Sequence, residues 1–430
     1  MTELFATNLN IIAKRWPIVA AAIKSQSIDH LDAHLVQGQN QTISVNGIQL
    51  SSRHDRIAEA QLFISTLPSN VHQVTVYGVG MGDVPSLLTD NSQYQKIEVC
   101  ILNLAVFALL LCYTDQREWL SHPNVNLYEQ AGKTLSFPYI AITPELNLVS
   151  NENAIIRDLI VYELNRNYAN QQHLNNDKVE FRFNSNSKNI ENDPSADLLI
   201  QYYKKPRCHV IASGPTLEDH YDFLLKQRQL PDNTRPLMIA ADTSLKGLVN
   251  HGIYPDIVVS IDINIRLDHM PIEDTENISL VYFPTISPDI IREWKGNRYC
   301  AYSKHARYDT LSNYQPKLRL YTNGSVIHPI IDLAAYLGAY EISMFGCDFC
   351  YAKNKTHAFW PDGSLGPKIN NAKHWVLNGR GDRVETDLNF RGYLRSLERY
   401  IKIKPNIKFY QSSLDGARIL GAQYKDFTNE

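Results

Sequence analysis

The chain has 430 residues, a formal net charge of −3 and a hydrophobic content of 44%. This length exceeds a single ordinary core and predicts two or three domains, and the small net charge argues against bulk attraction to nucleic acid or membranes. The longest apolar run, ILNLAVFALLLCY (101–113), is shorter than the ~20 residues that cross a bilayer, and we expect it to be a buried helix or strand–helix segment. The N-terminus, with its early Glu3, lacks the pattern of a signal peptide, so we expect a cytoplasmic protein without a membrane span.

Residues 1–65 combine helical patterns with one hairpin signal. LNIIAKRWPIVAAAIK and RIAEAQLFISTL carry apolar residues at three- and four-residue spacing, which predicts helices. Between them, QTISVNGIQLSS has Asn46-Gly47 at its centre, a dipeptide typical of two-residue hairpin turns. We therefore expect an N-terminal helical and hairpin region.

Residues 66–165 open like a nucleotide-binding α/β unit. The β-rich run VHQVTVY leads into a turn containing Gly78, Gly80 and Gly82, and a helix pattern and the strand pattern KIEVCIL follow. The spacing departs from GxGxxG, and Asn103 instead of an acidic residue follows the second strand. Two interpretations stay open: a cofactor site, or a Rossmann-like domain that binds nothing.

The rest of the chain predicts a linker and then a larger α/β domain. Residues 166–200 are rich in Asn, Ser and charge, which predicts a linker or surface excursion. Residues 201–385 alternate apolar strand patterns with single helix patterns, which predicts a mostly parallel sheet covered on both faces. Residues 386–430 form an amphipathic helix pattern followed by a last strand.

Polar residues follow the predicted strands of the larger domain at the edge where such sheets bind ligands. Each residue alone also fits a helix cap, but together they predict a phosphate-binding edge for a nucleotide or nucleotide-sugar. The absence of GxxxxGK[ST] excludes a P-loop NTPase. The candidate binding residues are Ser213, Gly214, Pro215, Thr216, Asp242, Thr243, Asp262, Asn264, Thr322, Asn323, Gly324 and Gly346.

The stretch FGCDFCYAKNKTHAFW raises the question of a metal. Cys347 and Cys350 have CxxC spacing, but no second CxxC or CxxH completes a four-ligand zinc site, and the pair ends a strand pattern instead of opening a helix. We expect two buried thiols without a metal. Asp262 and Asn264 offer one acid and one amide, a weak magnesium site, although a ribose contact or a cap fits them equally; no essential cofactor or metal is expected.

Four segments, in order, resemble a known family: IASGPTLED, AADTSLKGLVNHGIYPDIVVSID, GCDFCYAKNKTHA and NGRGDRVETDLNFRGYLRSLERYI. They are similar to the motility-associated factor (Maf) proteins, flagellin glycosyltransferases whose central domain is shared with an archaeal pterin diphosphokinase (MptE-like). The resemblance covers roughly residues 70–405 and rests on the order of the motifs. The domain also resembles small bacterial sialyltransferases, in which a Gly-Pro-Ser loop, a Thr-Ser-Gly helix start and a Gly-Ile-Asp-Phe-Tyr strand end surround a CMP-sugar.

The resemblance implies an α/β fold class, with a sialyltransferase-like, Rossmann-like parallel sheet preceded by a smaller Rossmann-like N-terminal domain. It implies inverting transfer of a nonulosonic sugar, such as pseudaminic or legionaminic acid, from a CMP donor to Ser or Thr of flagellin, in support of flagellar assembly and motility. CMP-nonulosonic acid and flagellin are thus the implied partners. The oligomeric state stays open.

This chain departs from the sialyltransferases at two binding positions and at the general base. Their Asn residues are replaced by Ser213 before the Gly-Pro and by Asp242 at the second strand end. Their catalytic histidine lies shortly before a Thr-Asp that opens a helix, whereas here GRGDRVE precedes Thr386-Asp387. The resemblance therefore leaves the general base unassigned.

Five residues form the candidate catalytic set. His357, in KTHA, is the first candidate base because the unperturbed pKa of histidine lies near neutrality. His374 and Asp382 are the alternatives. Tyr351 is expected to help the phosphate leave, and Asp348 completes the set at the strand end.

Two other functions compete with glycosyl transfer. One is a pterin diphosphokinase that uses ATP and magnesium, which would need a carboxylate cluster where this chain has Asp262 and Asn264. The other is a flagellin-binding assembly factor without catalytic activity.

Overall fold

The computed structural model describes residues 2–174, 177–365, 368–369 and 372–428. The chain divides into two compact units, Met1–Asn165 and Arg166–Glu430. Among the described helices, not one combines the length and apolarity that a membrane crossing requires.

The first unit begins with helices and a small antiparallel sheet, as predicted. The Asn46-Gly47 turn joins two antiparallel strands, and both turn residues have positive φ, which confirms the hairpin. Its helices are α1 (Glu3–Arg15), α2 (Pro17–Lys24), α3 (Arg56–Ser65), α4 (Asp83–Thr89), α5 (Leu104–Tyr113), α6 (Arg117–Ser121) and α7 (Ala154–Leu174), the last of which runs across the division. Its strands are β1 (Ala33–Gln37), β2 (Gln41–Val45), β3 (Ile48–Gln49), β4 (Gln73–Tyr77), β5 (Lys96–Cys100), β6 (Val125–Tyr128) and β7 (Tyr139–Ala141).

A four-stranded parallel sheet in the order β6-β5-β4-β7 forms the core of the first unit. The apolar run 101–113 follows β5 directly and supplies the buried helix α5, so the expectation of a buried segment is correct. The chain passes from β4 outward to β5 and β6 and then returns to place β7 on the other side of β4. The strand order therefore reverses between β4 and β7.

The second unit contains the larger sheet. Its helices are α8 (Asp177–Ser185), α9 (Ser187–Asn192), α10 (Ile200–Tyr203), α11 (Tyr221–Gln229), α12 (Asp242–Asn250), α13 (Pro288–Glu293), α14 (Asp309–Tyr314), α15 (Ile327–Tyr336) and α16 (Leu388–Lys402). Its strands are β8 (Arg207–Ile211), β9 (Leu237–Ala241), β10 (Ile257–Ser260), β11 (Ser279–Tyr282), β12 (Arg298–Ser303), β13 (Leu318–Leu320), β14 (Glu341–Phe345), β15 (His374–Leu377), β16 (Arg383–Thr386), β17 (Lys408–Gln411) and β18 (Gln423–Tyr424).

Nine strands of the second unit form one parallel sheet in the order β13-β12-β11-β10-β9-β8-β14-β17-β18. All five residues of β9 and all four of β10 and β11 are buried, as expected for a parallel sheet covered on both faces. The order reverses between β8 and β14, because the chain runs outward from β8 to β13 and then crosses back. The predicted α/β class with two Rossmann-like parallel sheets is confirmed.

The structure does not support the predicted linker over residues 166–200. The helices α8 and α9 and a 3-10 turn (Ala196–Leu199) occupy most of it, while residues 175–176 lie outside the described residues. Val179 and Phe183 lie one helical turn apart and are buried in the core of the second unit. The composition misled because few apolar residues suffice when they share one face of a helix.

The predicted boundaries at residues 201 and 385 also differ from the structure. The strands β17 and β18 of the C-terminal segment extend the same nine-stranded sheet, and α16 buries Leu394 and Leu397 in its core. The helix face predicted from the sequence is therefore present, but the tail belongs to the second unit. An antiparallel hairpin, β15 with β16, precedes the helix.

Candidate functional site at the edge of the large sheet

The first two predicted strand ends are joined by a hydroxyl contact. Ser213 follows β8 and Thr243 lies in the first turn of α12, directly after β9. The Thr243 hydroxyl donates to Ser213 Oγ at 2.9 Å. The carboxyl ends of neighbouring parallel strands thus converge on one edge of the sheet, as predicted.

Asp242 is buried at this edge and is held by its neighbours. Ser260, at the end of β10, donates to Asp242 Oδ2 at 2.6 Å, and the Thr243 N–H donates to Oδ1 at 2.7 Å. Burial raises the pKa of Asp242 to about 7, although the Ser260 hydrogen bond opposes the shift, and the negative charge of Asp262 adds to it. A carboxyl group that takes up a proton near neutrality is a weak ligand for a divalent cation.

Asp262 and Asn264 follow β10 and offer few free oxygen atoms as metal ligands. The Asn264 N–H donates to Asp262 Oδ1 at 2.8 Å, and Lys178 donates to Asn264 Oδ1 at 2.8 Å. The amide oxygen that would bind a metal therefore already accepts from an ammonium group. Among the described residues, no three His, Cys, Asp or Glu side chains gather closely enough to hold a metal ion.

The turn between β13 and α15 presents backbone donors. The N–H groups of Gly324, Ser325 and Val326 have no hydrogen-bond partner among the described residues, and Gly324 is exposed. They precede the ten-residue helix α15, whose N-terminal end favours negative charge. Of the predicted strand ends, this turn has the best geometry for a phosphate. We call Gly324 to Val326 the phosphate turn.

The helix α16 forms a wall beside the phosphate turn. Gly324 has φ +84°, and a Cβ there would collide with the Tyr393 ring. Asn323 donates to the Ser396 hydroxyl, and the Thr322 and Ser303 hydroxyls bond to each other. Burial raises the pKa of Tyr393, and the charge of Asp262 adds to that shift. The sequence analysis considered only the apolar face of α16 and did not identify Tyr393. Its position one turn after Phe390 is the feature of the sequence that could have indicated it.

A buried carboxylate joins the loops at the strand reversal between β8 and β14. Thr216 donates its N–H to Asp348 Oδ2 at 2.8 Å and its hydroxyl to Oδ1 at 2.5 Å. Burial raises the pKa of Asp348 to about 6, against the effect of the Thr216 hydrogen bonds. Because both of its oxygens are bonded and it is 4% exposed, Asp348 positions the turn and does not present itself to a substrate.

Gly214 is tightly enclosed at the same reversal. Its N–H donates to the Gly346 carbonyl at 2.8 Å, so the N–H that we expected to bind phosphate is bonded within the chain. A Cβ at Gly214 would lie 2.6 Å from Asp348 Oδ2 and would collide with the Gly346 carbonyl oxygen. Pro215 and Thr216 begin a buried 3-10 turn (Pro215–His220).

The loop after β14 covers the first two strand ends. The Ala358 N–H donates to the Ser213 carbonyl at 2.9 Å, and Trp360 Nε1 donates to the Thr243 carbonyl at 2.8 Å. Its two cysteines, Cys347 and Cys350, are buried free thiols whose pKa is raised by desolvation. This agrees with the expectation that they are small packing residues.

Tyr351 and Asp387 form a hydroxyl–carboxylate pair at the start of α16. The Tyr351 hydroxyl donates to Asp387 Oδ2, and Asp387 Oδ1 has no hydrogen-bond partner among the described residues. Burial raises the pKa of Tyr351, and the Asp387 carboxylate adds to the shift. Asp387 precedes the first residue of α16 but does not cap the helix with its side chain. Sequence analysis noted its Thr-Asp motif without giving it a role.

The three other candidate bases are less well placed. His357 is half-buried, its ring has no hydrogen-bond partner in the described part of the chain, and desolvation lowers its pKa to about 4. His374 lies on β15 with Nδ1 3.2 Å from a nitrogen of Arg391. Asp382 is an exposed residue in the turn of the β15–β16 hairpin, where its N–H donates to Asn378 Oδ1 at 2.9 Å.

Comparisons with known proteins match part of these expectations. Residues 181–354 match the family model of 6-hydroxymethylpterin diphosphokinase MptE-like proteins, which confirms the expected MptE-like central domain and includes β8 to β14. The chain is also similar to the solved structure of MAf glycosyltransferase from Magnetospirillum magneticum AMB-1, at 13% identity and a TM-score of 0.44, over 100% of this chain and 75% of that one. No curated protein matches the chain.

Proposed function

We propose that the second unit is a Maf-type glycosyltransferase that moves a nonulosonic sugar from a CMP donor to a Ser or Thr hydroxyl of flagellin. The order of the motifs and the MptE-like domain support this proposal. The observation that carries it is the arrangement along α16. Asp387 precedes the helix with one carboxylate oxygen that no described residue binds, and Tyr393 packs on the phosphate turn about 9 Å further along the helix axis.

The phosphate turn suits the donor. As the bond from the anomeric carbon to the CMP phosphate oxygen breaks, negative charge collects on the phosphate. The free N–H groups of Gly324, Ser325 and Val326 at the start of α15 stabilise that charge without a metal. A CMP-sugar has a single phosphate, so the charge to be stabilised is small.

Asp387 suits the acceptor. The acceptor hydroxyl attacks the anomeric carbon from the face opposite the leaving phosphate, and its proton passes to Asp387 Oδ1. The Tyr351 hydroxyl holds Oδ2 and so fixes the direction of the carboxylate. Tyr351 stays protonated at neutral pH because burial and the adjacent carboxylate raise its pKa. Asp387 thereby replaces the histidine that the sialyltransferases carry before the corresponding Thr-Asp.

A pterin diphosphokinase that uses ATP and magnesium is the second candidate, favoured by the name of the matching family. Its metal would fall to Asp242 and Asp262. The donor set fits magnesium poorly, since Asp242 is bonded to Ser260 and Lys178 holds the Asn264 oxygen. A flagellin-binding factor without activity is the third candidate.

One set of reactions separates the three functions. We expect purified protein, incubated with CMP-pseudaminic or CMP-legionaminic acid and flagellin, to raise the intact mass of flagellin by one or more sugar residues, with or without EDTA. A diphosphokinase would leave flagellin unchanged. Given ATP and a hydroxymethylpterin, it would transfer diphosphate to the pterin and release AMP, and only with magnesium. An assembly factor would bind flagellin in a pull-down without changing its mass.

Substitutions at the pair test the assigned roles. We expect Asp387→Asn to lower kcat about 10²- to 10³-fold while CMP binding is kept, because only proton transfer is lost. Tyr351→Phe should lower it about tenfold, since the carboxylate remains but is no longer oriented. Asp222→Asn, an exposed acid in the first turn of α11, is the matched control and should keep full activity. Full activity of Asp387→Asn together with an inactive His357→Ala would assign the general base to His357.

A further inference from the structure

The glycine turn of the first unit lies where the strand order reverses between β4 and β7. Gly78, Gly80 and Gly82 have φ of +90°, +61° and +91°, a region that glycine adopts more readily than residues with a side chain. In Rossmann-like sheets this crevice receives the phosphates of a nucleotide. Here every residue from Tyr77 to Gly82 is buried. The turn therefore has the backbone shape of an anion site without an open surface.

A carboxylate of the chain fills the turn. Glu145 lies in a 3-10 turn (Thr143–Asn147) after β7, and its Oε1 accepts from the Val79 N–H at 2.8 Å and from the Gly80 N–H. A Cβ added to Gly78 would lie 3.1 Å from Glu145 Oε2. The carboxylate thus occupies the position at which two convergent N–H groups would bind an anionic ligand.

Other groups close the remaining sides of the turn. A Cβ at Gly82 would collide with the Gln116 side chain, whose Nε2 donates to the Met81 carbonyl at 3.2 Å. The Ile142 side chain would lie 3.0 Å from a Cβ at Gly78. The Leu50 carbonyl oxygen would lie 3.3 Å from one at Gly80. Side chains and backbone of the first unit therefore surround the three glycines.

We propose that the glycine turn of the first unit is an anion site whose permanent ligand is the Glu145 carboxylate, so that this unit binds no nucleotide and accepts a small external carboxylate only when that side chain is removed. Glu145 is 5% exposed and has no ion-pair partner in the described part of the chain, so the two N–H groups are its main stabilising contacts. Burial raises the pKa of Glu145 to about 7 against the effect of those hydrogen bonds. The proposal is independent of the function of the second unit.

Removal of the side chain followed by an added anion tests the site. Glu145→Ala leaves the Val79 and Gly80 N–H groups without an acceptor, and formate supplies the missing carboxylate. We expect sodium formate at tenfold its dissociation constant to raise the thermal midpoint of this variant by about 2–3 °C beyond equimolar sodium chloride. Hydrogen exchange in a peptide spanning residues 77–83 should slow about tenfold with formate, because a bound anion protects both amides.

The matched controls are wild type and Glu145→Gln, whose side-chain oxygen still accepts from both N–H groups. Neither should respond to formate beyond the chloride effect. A formate effect of equal size in all three proteins, or none in Glu145→Ala, would overturn the proposal. A second measurement uses wild type alone and remains available if Glu145→Ala does not fold: ATP, NAD or CMP should leave exchange at residues 77–83 unchanged, and protection there by any of them would overturn it.

Discussion

Both parallel sheets reverse their strand order beside a glycine turn, and both reversals contain a buried carboxylate from the segment that follows the strand on the other side of the reversal. In the first unit Glu145 accepts from the glycine turn itself, at Val79 and Gly80. In the second unit Asp348 accepts from Thr216, two residues beyond Gly214. The arrangement is similar, but in the second unit the N–H groups of the phosphate turn and Asp387 Oδ1 have no hydrogen-bond partner among the described residues.

The difference shows that a glycine turn after a strand does not by itself indicate a ligand. Its N–H groups are strong donors that must be satisfied when buried, and a carboxylate of the same chain satisfies them as well as a phosphate. The informative feature is a polar group that the chain leaves unsatisfied near the surface. By that measure the phosphate turn of the second unit is a candidate site, whereas the glycine turn of the first unit is not, because Glu145 occupies it.

The largest expected effect lies at Gly214. A Cβ there meets a backbone carbonyl and Asp348, neither of which moves without opening the strand reversal. We expect Gly214→Ala to lower transfer activity at least about 100-fold and stability by about 2–4 kcal/mol. The control is Gly132→Ala, because a Cβ at Gly132 has nothing within 4 Å. Urea unfolding and the flagellin mass assay measure the two effects, and unchanged activity of Gly214→Ala would show that this reversal does not support the site.

The two carboxylates should give similar pH dependence of stability but different effects on activity. Each has a pKa raised on folding, Glu145 to about 7 and Asp348 to about 6, mainly by burial. The folded state then holds the proton more tightly than the unfolded state, so this stabilisation is complete below pH ~4 and is lost as the pH rises through the folded pKa. In the wild type we expect each group to lower the free energy of unfolding by about 3 kcal/mol between pH 4 and 8. Glu145→Gln and Asp348→Asn should each abolish the share of its own group.

Activity then separates the two variants. Glu145→Gln should keep wild-type activity, whereas Asp348→Asn should lower it about tenfold or more, because Thr216 loses a charged acceptor at the strand reversal. Urea midpoints at several pH values and the mass assay at pH 7.5 provide the measurements. Loss of activity in Glu145→Gln, with stability kept, would contradict the distinction drawn between the two units.

The sequence predicted the strand ends well and their connections poorly. Ser213, Asp242, Asp262 and Thr322 were found because each follows a short apolar run that a parallel sheet buries on both faces. The contacts of Glu145 and Asp348 could not be predicted, since they join residues 65 and 132 positions apart and depend on which strands become neighbours.

The same limit applies to helices. Periodicity predicted the apolar face of α16 but not that Tyr393 would cover Gly324, because the packing partner of a helix is set by the topology. The average composition of α8 and α9 is polar and predicts a linker, although Val179, Phe183 and Ile190 are buried in the core of the second unit.

The smallest effect is expected at the CxxC pair, which flanks Asp348 in the chain and so tests whether the reversal needs thiol chemistry. Cys347 Sγ lies 3.7 Å from the Phe345 carbonyl oxygen and Cys350 Sγ 3.9 Å from that of Asp415, so each thiol has only a weak acceptor contact. Serine in both positions keeps the volume and buries two hydroxyls near those same acceptors. We expect the double variant Cys347→Ser, Cys350→Ser to lose about 1–2 kcal/mol of stability and to keep CMP binding and turnover within about twofold. Calorimetry with CMP, the mass assay and metal analysis of the wild type provide the measurements. A large loss of turnover, accompanied by one equivalent of zinc in the wild type, would mean that the strand end beside Asp348 is a metal site. The strand reversal would then depend on a bound metal as well as on the Asp348 carboxylate.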